Sequence, residues 1–390
     1  MSRLSEPFLS RGASCSPPTR RVQIRGLSPR GGDHIQGAAL NIRDLGANRV
    51  EDIVRSRFVA SASVATNVHV QGPLNARRFS RIFRGDGDVF PCPVAIKVFI
   101  QGQFGGSPLE AARAYHHALE EIYAVSVGDP VLAVPQPFGL IEERDFGLVV
   151  AEWVEGPVLS EWLPHCTRAE AILASRNAGI WLSRLQRSVG VAYRPMEVHG
   201  VLEHLTASIG SGRHGLGGAV VARAAQLLEK MADRVAVEEV GWCRSHGDFK
   251  PENMVSRDGQ IVGIDLDLRK VAPAVHDAAH FLNHLQILCY PPWSFHRLGD
   301  APSLVGAFCQ GYATDGRVEL PPLVLTWQRL GNALSLLLRH SEWSRPPRAW
   351  VAGLALRRLV KGLTRDLSRL ASSADPSAAR IANRVAEVGG

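Results

Sequence analysis

Apolar and polar residues alternate in several stretches of the first third of the chain, as they do in half-buried strands. Phe58-Val59-Ala60 begins such a stretch, Asn75 to Arg84 (NARRFSRIFR) alternates more clearly, and Val94 to Ile100 (VAIKVFI) is a dense apolar run. Gly85-Asp86-Gly87 is a turn signal between the last two. Three antiparallel strands are predicted here. Ser107-Pro108-Leu109-Glu110 then opens a helix, with serine as N-cap, proline in the first turn and glutamate at the third helical position. The helix runs through AARAYHHALEEIYAV. After a proline-containing loop, Phe138 to Glu142 and Gly147 to Val154 form another apolar pair, joined at Glu143-Arg144-Asp145.

From Glu155-Gly156-Pro157 onward the hydrophobic period becomes helical: Ala169 to Gln186, Val220 to Val235, Leu304 to Tyr312, Leu323 to Leu338 and Ala349 to Leu370. A loop-and-strand island, roughly Cys243 to Leu268, interrupts these helices, and Gln260 to Asp265 within it reads as a hairpin strand. The expected architecture is α+β and bilobal. A small antiparallel-sheet lobe with one helix covers 57–153, and a larger, mainly helical lobe covers 154–372. The connector lies near Glu152 to Gly156.

Composition adds boundaries to this picture. With 45% hydrophobic and 21% charged residues the chain reads as soluble and globular, and no apolar run is long enough for a membrane span. The net charge is +7. Much of it sits in the first 56 residues, where Arg3, Arg11, Arg20, Arg21, Arg25, Arg30, Arg43 and Arg49 face only a few acids. That segment is rich in Ser, Gly and Pro, so 1–56 is expected to be a disordered basic tail, dispensable up to about Glu51. An organelle transit peptide has a similar composition, but no cleavage-site pattern accompanies it. A second tail is expected at 373–390. Without the basic tail the remainder is near neutral, which gives no reason to expect a nucleic-acid partner. The six cysteines are scattered, with no C-x-x-C pair, as for free thiols in a reducing cytoplasm.

The densest chemistry lies in SHGDFKPENMV, Ser245 to Val255. A carboxylate and a carboxamide spaced as Asp248 and Asn253 can fold back on one loop and face a common point. Phosphoryl transfer needs such a base near the acceptor hydroxyl, with a cation for the phosphates, a partner for that cation and oxygen ligands for a metal. Lys97 is a lysine in an apolar strand, costly there unless paired; alone it also reads as an edge-strand lysine facing water. Glu110 is its natural partner, with Glu120 and Glu121 competing and a purely capping role open. Asp248 would orient or accept the hydroxyl proton, and Asn253 would bind Mg²⁺ through its amide oxygen; an Asp–Asn pair also occurs in ordinary polar turns. Asp265, at a strand end among apolar residues, is the candidate for bridging Mg²⁺. Asp267 is a second ligand or a surface residue.

H-G-D-x-x-x-x-N followed by I-D-x-D, with V-A-I-K upstream, resembles the aminoglycoside phosphotransferase and choline kinase family, relatives of protein kinases. The resemblance spans roughly Phe58 to His284. It implies a protein-kinase-like fold and ATP-dependent transfer to a hydroxyl, with ATP and Mg²⁺ as cofactors. By the same resemblance Asp248 is the catalytic base, Asn253 and Asp265 hold magnesium, and Lys97 and Glu110 form an ion pair. Glu152 and Val154, in VVAEWVEG, supply hinge backbone contacts to adenine, and Asp277 in HDAAHFL braces the site. Gln186 stands where relatives often carry histidine. Asn67 to Asn75 holds only Gly72 where a glycine-rich phosphate loop is expected. Gly210 to Gly215 fits G-x-G-x-x-G but follows a helical stretch, and reads as an interhelical loop.

DFKPEN also resembles the catalytic loop of Ser/Thr protein kinases, where Lys250 would neutralise the transferred phosphate. Gly247 in place of arginine, and the short run from Asp265 to Asp277, leave no activation segment and favour a small-molecule acceptor. A Ser/Thr protein kinase-like enzyme and a catalytically silent nucleotide-binding scaffold are the alternatives. The region from Pro291 onward, with Trp293, Trp327, Arg329, Asn332 and Arg339, is expected to line the acceptor pocket, although aromatics at helical spacing are mostly core and none is assigned to substrate.

Overall fold

A computed structural model describes residues 45–58, 67–76, 79–101, 106–210, 218–290, 301–314, 318–340 and 348–373. They belong to one compact unit, Ile42–Gly390.

The expected basic tail ends earlier than its composition implied. Ala47–Phe58 is a helix, α1, whose Val50 and Val54 are fully buried one turn apart. With Leu45 and Ile53 they pack against strand residues Val68, Val70 and Phe83. Five charged side chains between Arg49 and Arg57 hide this narrow apolar stripe in the composition. Glu51 adds a polar tie by accepting from the Val70 amide at 3.0 Å. Truncation to Glu51 would remove Leu45 and Val50 from this core, so the expected dispensability does not extend that far. The first 44 residues lie outside those described. Val54→Ala should cost about 2 kcal/mol of unfolding free energy, read as a lower midpoint in chemical denaturation. An unchanged midpoint would mean that α1 is peripheral to the cooperative fold.

Strands β1 (Val68–Ala76), β2 (Ser80–Gly87), β3 (Val94–Phe99), β4 (Pro137–Glu142) and β5 (Gly147–Glu152) form an antiparallel sheet in the order β1-β2-β3-β5-β4. The expected strand at Phe58 is instead a helix end, and Asn75 to Arg84 straddles the end of β1 and most of β2. Gly85-Asp86-Gly87 lies inside β2, and the chain turns just after it. Along β3, the two-residue period sends Val94, Ile96 and Val98 into the core shared with α1. Lys97 therefore faces the opposite side, the side covered by α2 (Pro108–Ser126). There Ala111 and Ala112 of α2 pack on Phe99 and Val149.

The helical part contains α3 (Leu159–Trp162), α4 (Arg168–Ser188), α5 (His199–Gly210), α6 (Gly218–Ala236), α7 (Val275–Cys289), α8 (Ala301–Ala313), α9 (Pro322–His340) and α10 (Arg348–Ser372). The predicted helical segments correspond to α4, α6, α8, α9 and α10. Helices α4 and α8 pack closely because each presents a glycine: a Cβ on Gly179 would lie 2.2 Å from the Phe308 carbonyl, and one on Gly311 2.0 Å from that of Arg176. A second core joins α5, α6, α9 and α10 around the fully buried Trp327, which packs in this core and does not line the expected acceptor pocket; Trp293 lies outside the described residues. The island between α6 and α7 holds β7 (Glu239–Arg244), which pairs with β6 (Ala192–Pro195) and with β10 (Val271–Pro273). It also holds a hairpin of β8 (Met254–Arg257) and β9 (Gln260–Gly263). Gly210 ends α5 and Gly218 begins α6; residues 211–217 between them lie outside those described, as do 374–390.

Candidate active site

Strand β7 delivers Ser245 to Lys250 to the edge of the five-stranded sheet's α2 side. Glu121 of α2 pairs with Arg244 at the end of β7, 2.5 Å away. Beyond it, the loop is held from behind by Asp277 in the first turn of α7. This carboxylate is 1% exposed and accepts from Ser245 Oγ at 2.8 Å, the His246 amide at 2.8 Å and the Gly247 amide at 3.2 Å. Gly247 adopts φ +82°, a left-handed conformation that favours glycine. Glycine at this position therefore has a local backbone reason.

Two aromatic side chains anchor the same loop from below. Phe249 is fully buried and stacks on Trp181 of α4, with ring centroids 5.6 Å apart, and on Phe281 of α7 at 4.9 Å. Phe281 in turn stacks on Phe308 of α8 at 5.1 Å, and Phe308 on Tyr312 at 6.3 Å. His246 is buried beside Trp181 and Phe249, centroids 6.1 and 5.5 Å away. Gln186, fully buried in α4, donates to the Ala274 carbonyl at 2.9 Å and accepts from Tyr312 Oη.

Burying Phe249 turns the neighbouring Asp248 toward solvent, leaving its side chain 39% exposed. Pro251 starts a single 3-10 turn through Asn253, closed by the Asn253 amide donating to the Lys250 carbonyl at 2.9 Å. That turn folds Asn253 back. Its Nδ2 donates to the Asp248 carbonyl at 2.8 Å and to Asp248 Oδ2 at 3.0 Å. Both amide hydrogens are thus directed at Asp248, which leaves Oδ1 as the acceptor end of the carboxamide. Lys250 Nζ lies 2.6 Å from Asp248 Oδ2.

Asp265 follows β9 in a left-handed conformation, φ +64°, unusual for a residue other than glycine. The Ile264 amide before it donates to the Asn253 carbonyl at 2.9 Å, which fastens the two loops together. Asp265 Oδ1 accepts from Lys97 Nζ of β3, 168 positions earlier. The ammonium also lies 4.1 Å from the ring centroid of Tyr115 on α2. Burial, the largest single influence, opposes the charge on Lys97, but Asp265 together with Tyr115 and Asp267 outweighs it and holds the ammonium's pKa above the ordinary lysine value. Asp267 is engaged by Arg269, with Nη2 2.9 Å from Oδ2.

The expected Lys97–Glu110 pair is not formed. Glu110 completes a capping box: its amide donates to Ser107 Oγ at 3.1 Å and its carboxylate accepts from the Ser107 amide at 2.8 Å. Hydrogen bonds from Ser107 lower its pKa. Glu110 points outward in the first turn, whereas Tyr115, further along α2, is the side chain that meets Lys97. Glu121 is spent on Arg244, and Glu120 lies 3.4 Å from His116 Nδ1. Glu152 ends β5; its carboxylate pairs with Arg257 at 2.5 Å and its amide donates to the Gln136 carbonyl at 2.8 Å. Val154 follows in the connector between β5 and α3.

Lys97, Asp248, Asn253 and Asp265 thus form one linked constellation. Its oxygen groups are the part-exposed Asp248 carboxylate, the Asn253 carboxamide oxygen and the Asp265 carboxylate beside the Lys97 ammonium. These are hard oxygen donors next to a cation, a set that fits a phosphate-bound divalent ion. Among the described residues no group of three His, Cys, Asp or Glu side chains is arranged as a metal cluster. Magnesium, which keeps water ligands and uses one or two carboxylates, needs no such cluster.

The model of the phosphotransferase enzyme family matches residues 77–323. The chain belongs to that family. Solved structures place this phosphotransferase family member among kinase folds of low sequence identity. A glucosamine kinase in complex with glucosamine, ADP and inorganic phosphate superposes with TM-score 0.50 at 17% identity, covering 81% of this chain and 83% of that one. A thermostable mutant of an aminoglycoside phosphotransferase gives 0.50 at 13%, covering 83% and 100%. A choline/ethanolamine kinase family protein from Mesorhizobium loti gives 0.51 at 12%, covering 82% and 96%. No curated protein matches the chain. The fold is protein-kinase-like, as the motif order implied.

Several parts of the site carry weaker sequence signals. Tyr115 and the Glu121–Arg244 pair depend on which face of α2 is turned inward, a choice that helical period alone leaves open. Ser245 could have been singled out, since a hydroxyl two residues before the left-handed Gly247 is placed to receive its amide, 3.0 Å away.

Proposed function

We propose that the chain transfers the terminal phosphoryl group of ATP to a hydroxyl of a small molecule, with magnesium as the divalent ion. The observation that carries this reading is a single convergence: Lys97 from the sheet meets Asp265, while Asn253 turns back onto Asp248 in the adjoining loop. Asp248 receives the acceptor's proton, and the oxygen so exposed attacks the terminal phosphorus as the bond to the bridging oxygen of ADP breaks. Lys97 holds phosphate oxygens further back, and Lys250, already beside Asp248, is placed to offset charge on the moving group. Asn253 and Asp265 would hold magnesium, which neutralises phosphate charge when bound. The Glu152 amide is already committed to Gln136, so contact with adenine falls to the Glu152 carbonyl and the Val154 backbone.

A small acceptor is supported by the connection after Asp265. The chain passes through β10, pairs with β7 and enters α7 at Val275. That stretch holds no loop on which a peptide could lie. A silent scaffold would have no use for Asp248 or for the Asn253 that positions it. No described helix is long and apolar enough to cross a membrane, and a cytoplasmic enzyme fits this reading. The test is ADP formation by the full chain with magnesium and ATP, over a panel of hydroxyl compounds with a generic protein substrate included. Acceptor-dependent ADP release with small molecules is expected. Turnover on the protein alone would transfer the assignment to a protein kinase.

A further inference from the structure

The catalytic turn abuts a wall whose chemistry is unusual for a cation-binding pocket. Helix α7 carries His276, His280 and His284 at four-residue intervals, which places them on one face. The rings of His280 and His284 meet edge to face, with centroids 4.7 Å apart. His284 Nδ1 lies 3.6 Å from Glu252 Oε2, in the same 3-10 turn that positions Asn253. At the other end of the row, His276 Nδ1 lies 3.4 Å from Gln328 Nε2 of α9, which also donates to Asn332 Oδ1 at 3.1 Å. Gln328 is only 3% exposed, yet its Oε1 has no hydrogen-bond partner among the described residues, and neither has His284 Nε2. A buried amide oxygen without a partner is costly, and such an atom marks a place where a ligand hydroxyl would be welcome.

The wall is built largely of imidazole and carboxamide groups, which can both donate and accept. A neutral imidazole has one of each function, and so does a carboxamide. A hydroxyl has the same dual character. Burial, then the neighbouring His284, His276, Lys250 and Arg339, push His280 well below the ordinary histidine range, so its ring is uncharged at neutral pH. The wall has one carboxylate, Glu252, whose Oε2 lies 3.6 Å from His284 Nδ1 without a hydrogen-bond partner among the described residues, with Lys250 nearby. A polycation would need several unspent carboxylates, and a quaternary ammonium would need an aromatic cage. The positive charge of Lys250 opposes both.

We propose that His276, His280, His284 and Gln328 form the acceptor-recognition wall and that the acceptor is an uncharged polyhydroxylated molecule, a monosaccharide or polyol, not a polycation. This rests on the phosphotransfer reading above. The test compares ADP release by the full chain with neutral monosaccharides and polyols, with cationic aminoglycosides and with choline. Turnover of at least one neutral acceptor, at higher kcat/KM than any cation, is expected. With that acceptor, His280→Leu and Gln328→Met should each raise its KM roughly ten-fold, more than they lower kcat. His280→Asn, which retains a donor and an acceptor, should recover part of the loss. His284→Gln, at a less buried position, serves if either buried variant unfolds and should raise KM in the same direction. Turnover confined to cations, or absent with every neutral acceptor, overturns the proposal, as does an unchanged KM in the folded variants. Titration with magnesium and a non-hydrolysable ATP analogue separates the two readings. Binding without neutral-acceptor turnover sinks the acceptor assignment alone, and no binding sinks the phosphotransfer reading with it.

Discussion

Asp248→Asn should lower kcat by roughly 10²–10⁴-fold, the range a general base contributes, with nucleotide binding little changed. Asparagine preserves the shape of the side chain. Its oxygen can still accept from Asn253 Nδ2, which lies 3.0 Å from the present carboxylate. The backbone carbonyl that also receives Asn253 is untouched. What the substitution removes is basicity, together with the negative charge that Lys250 now faces at 2.6 Å. Steady-state kinetics with any active acceptor, paired with nucleotide titration, would report both quantities. A wild-type rate would show that Asp248 does not handle the proton.

Asp265→Asn should act differently, because two charges depend on this carboxylate. The Lys97 ammonium loses its counter-charge, and the proposed magnesium site loses its acidic ligand. A fall in kcat of roughly 10²–10³-fold is expected, together with a higher magnesium concentration for half-maximal rate. Stability should also fall, by about 1–3 kcal/mol, because Lys97, only 13% exposed, is left without its counter-charge. The magnesium dependence is the decisive measurement. If the rate falls while the metal requirement stays fixed, Asp265 serves only to hold Lys97, and the metal assignment to this residue fails.

Much of this site was legible because its chemistry is compressed into short runs. Asp248 and Asn253 are joined by one proline-initiated turn, so their spacing alone predicts that they converge. Lys97 could be placed on a strand, and the strand's two-residue period fixes its face once the buried face is known. The partner of Lys97 was not legible. Glu110 carries a capping signal and a pairing signal at once, and the capping box is the interaction formed. Choosing Asp265 instead requires knowing that the turn after β9 swings back beneath the sheet, a non-local fact. Helix α1 was missed for a related reason: its buried stripe is two to four residues wide amid arginines and acids. Helix α7 was seen only as a motif because it is buried nearly all round, and its three histidines interrupt any simple apolar period.

The file of rings from Trp181 through Phe249 and Phe281 to Phe308 and Tyr312 has a consequence for assay conditions. Dispersion and shape, which added electrolyte does not weaken, hold the catalytic turn to the helices beneath it. High ionic strength will therefore loosen the enzyme's grip on phosphate groups while the turn itself stays in register.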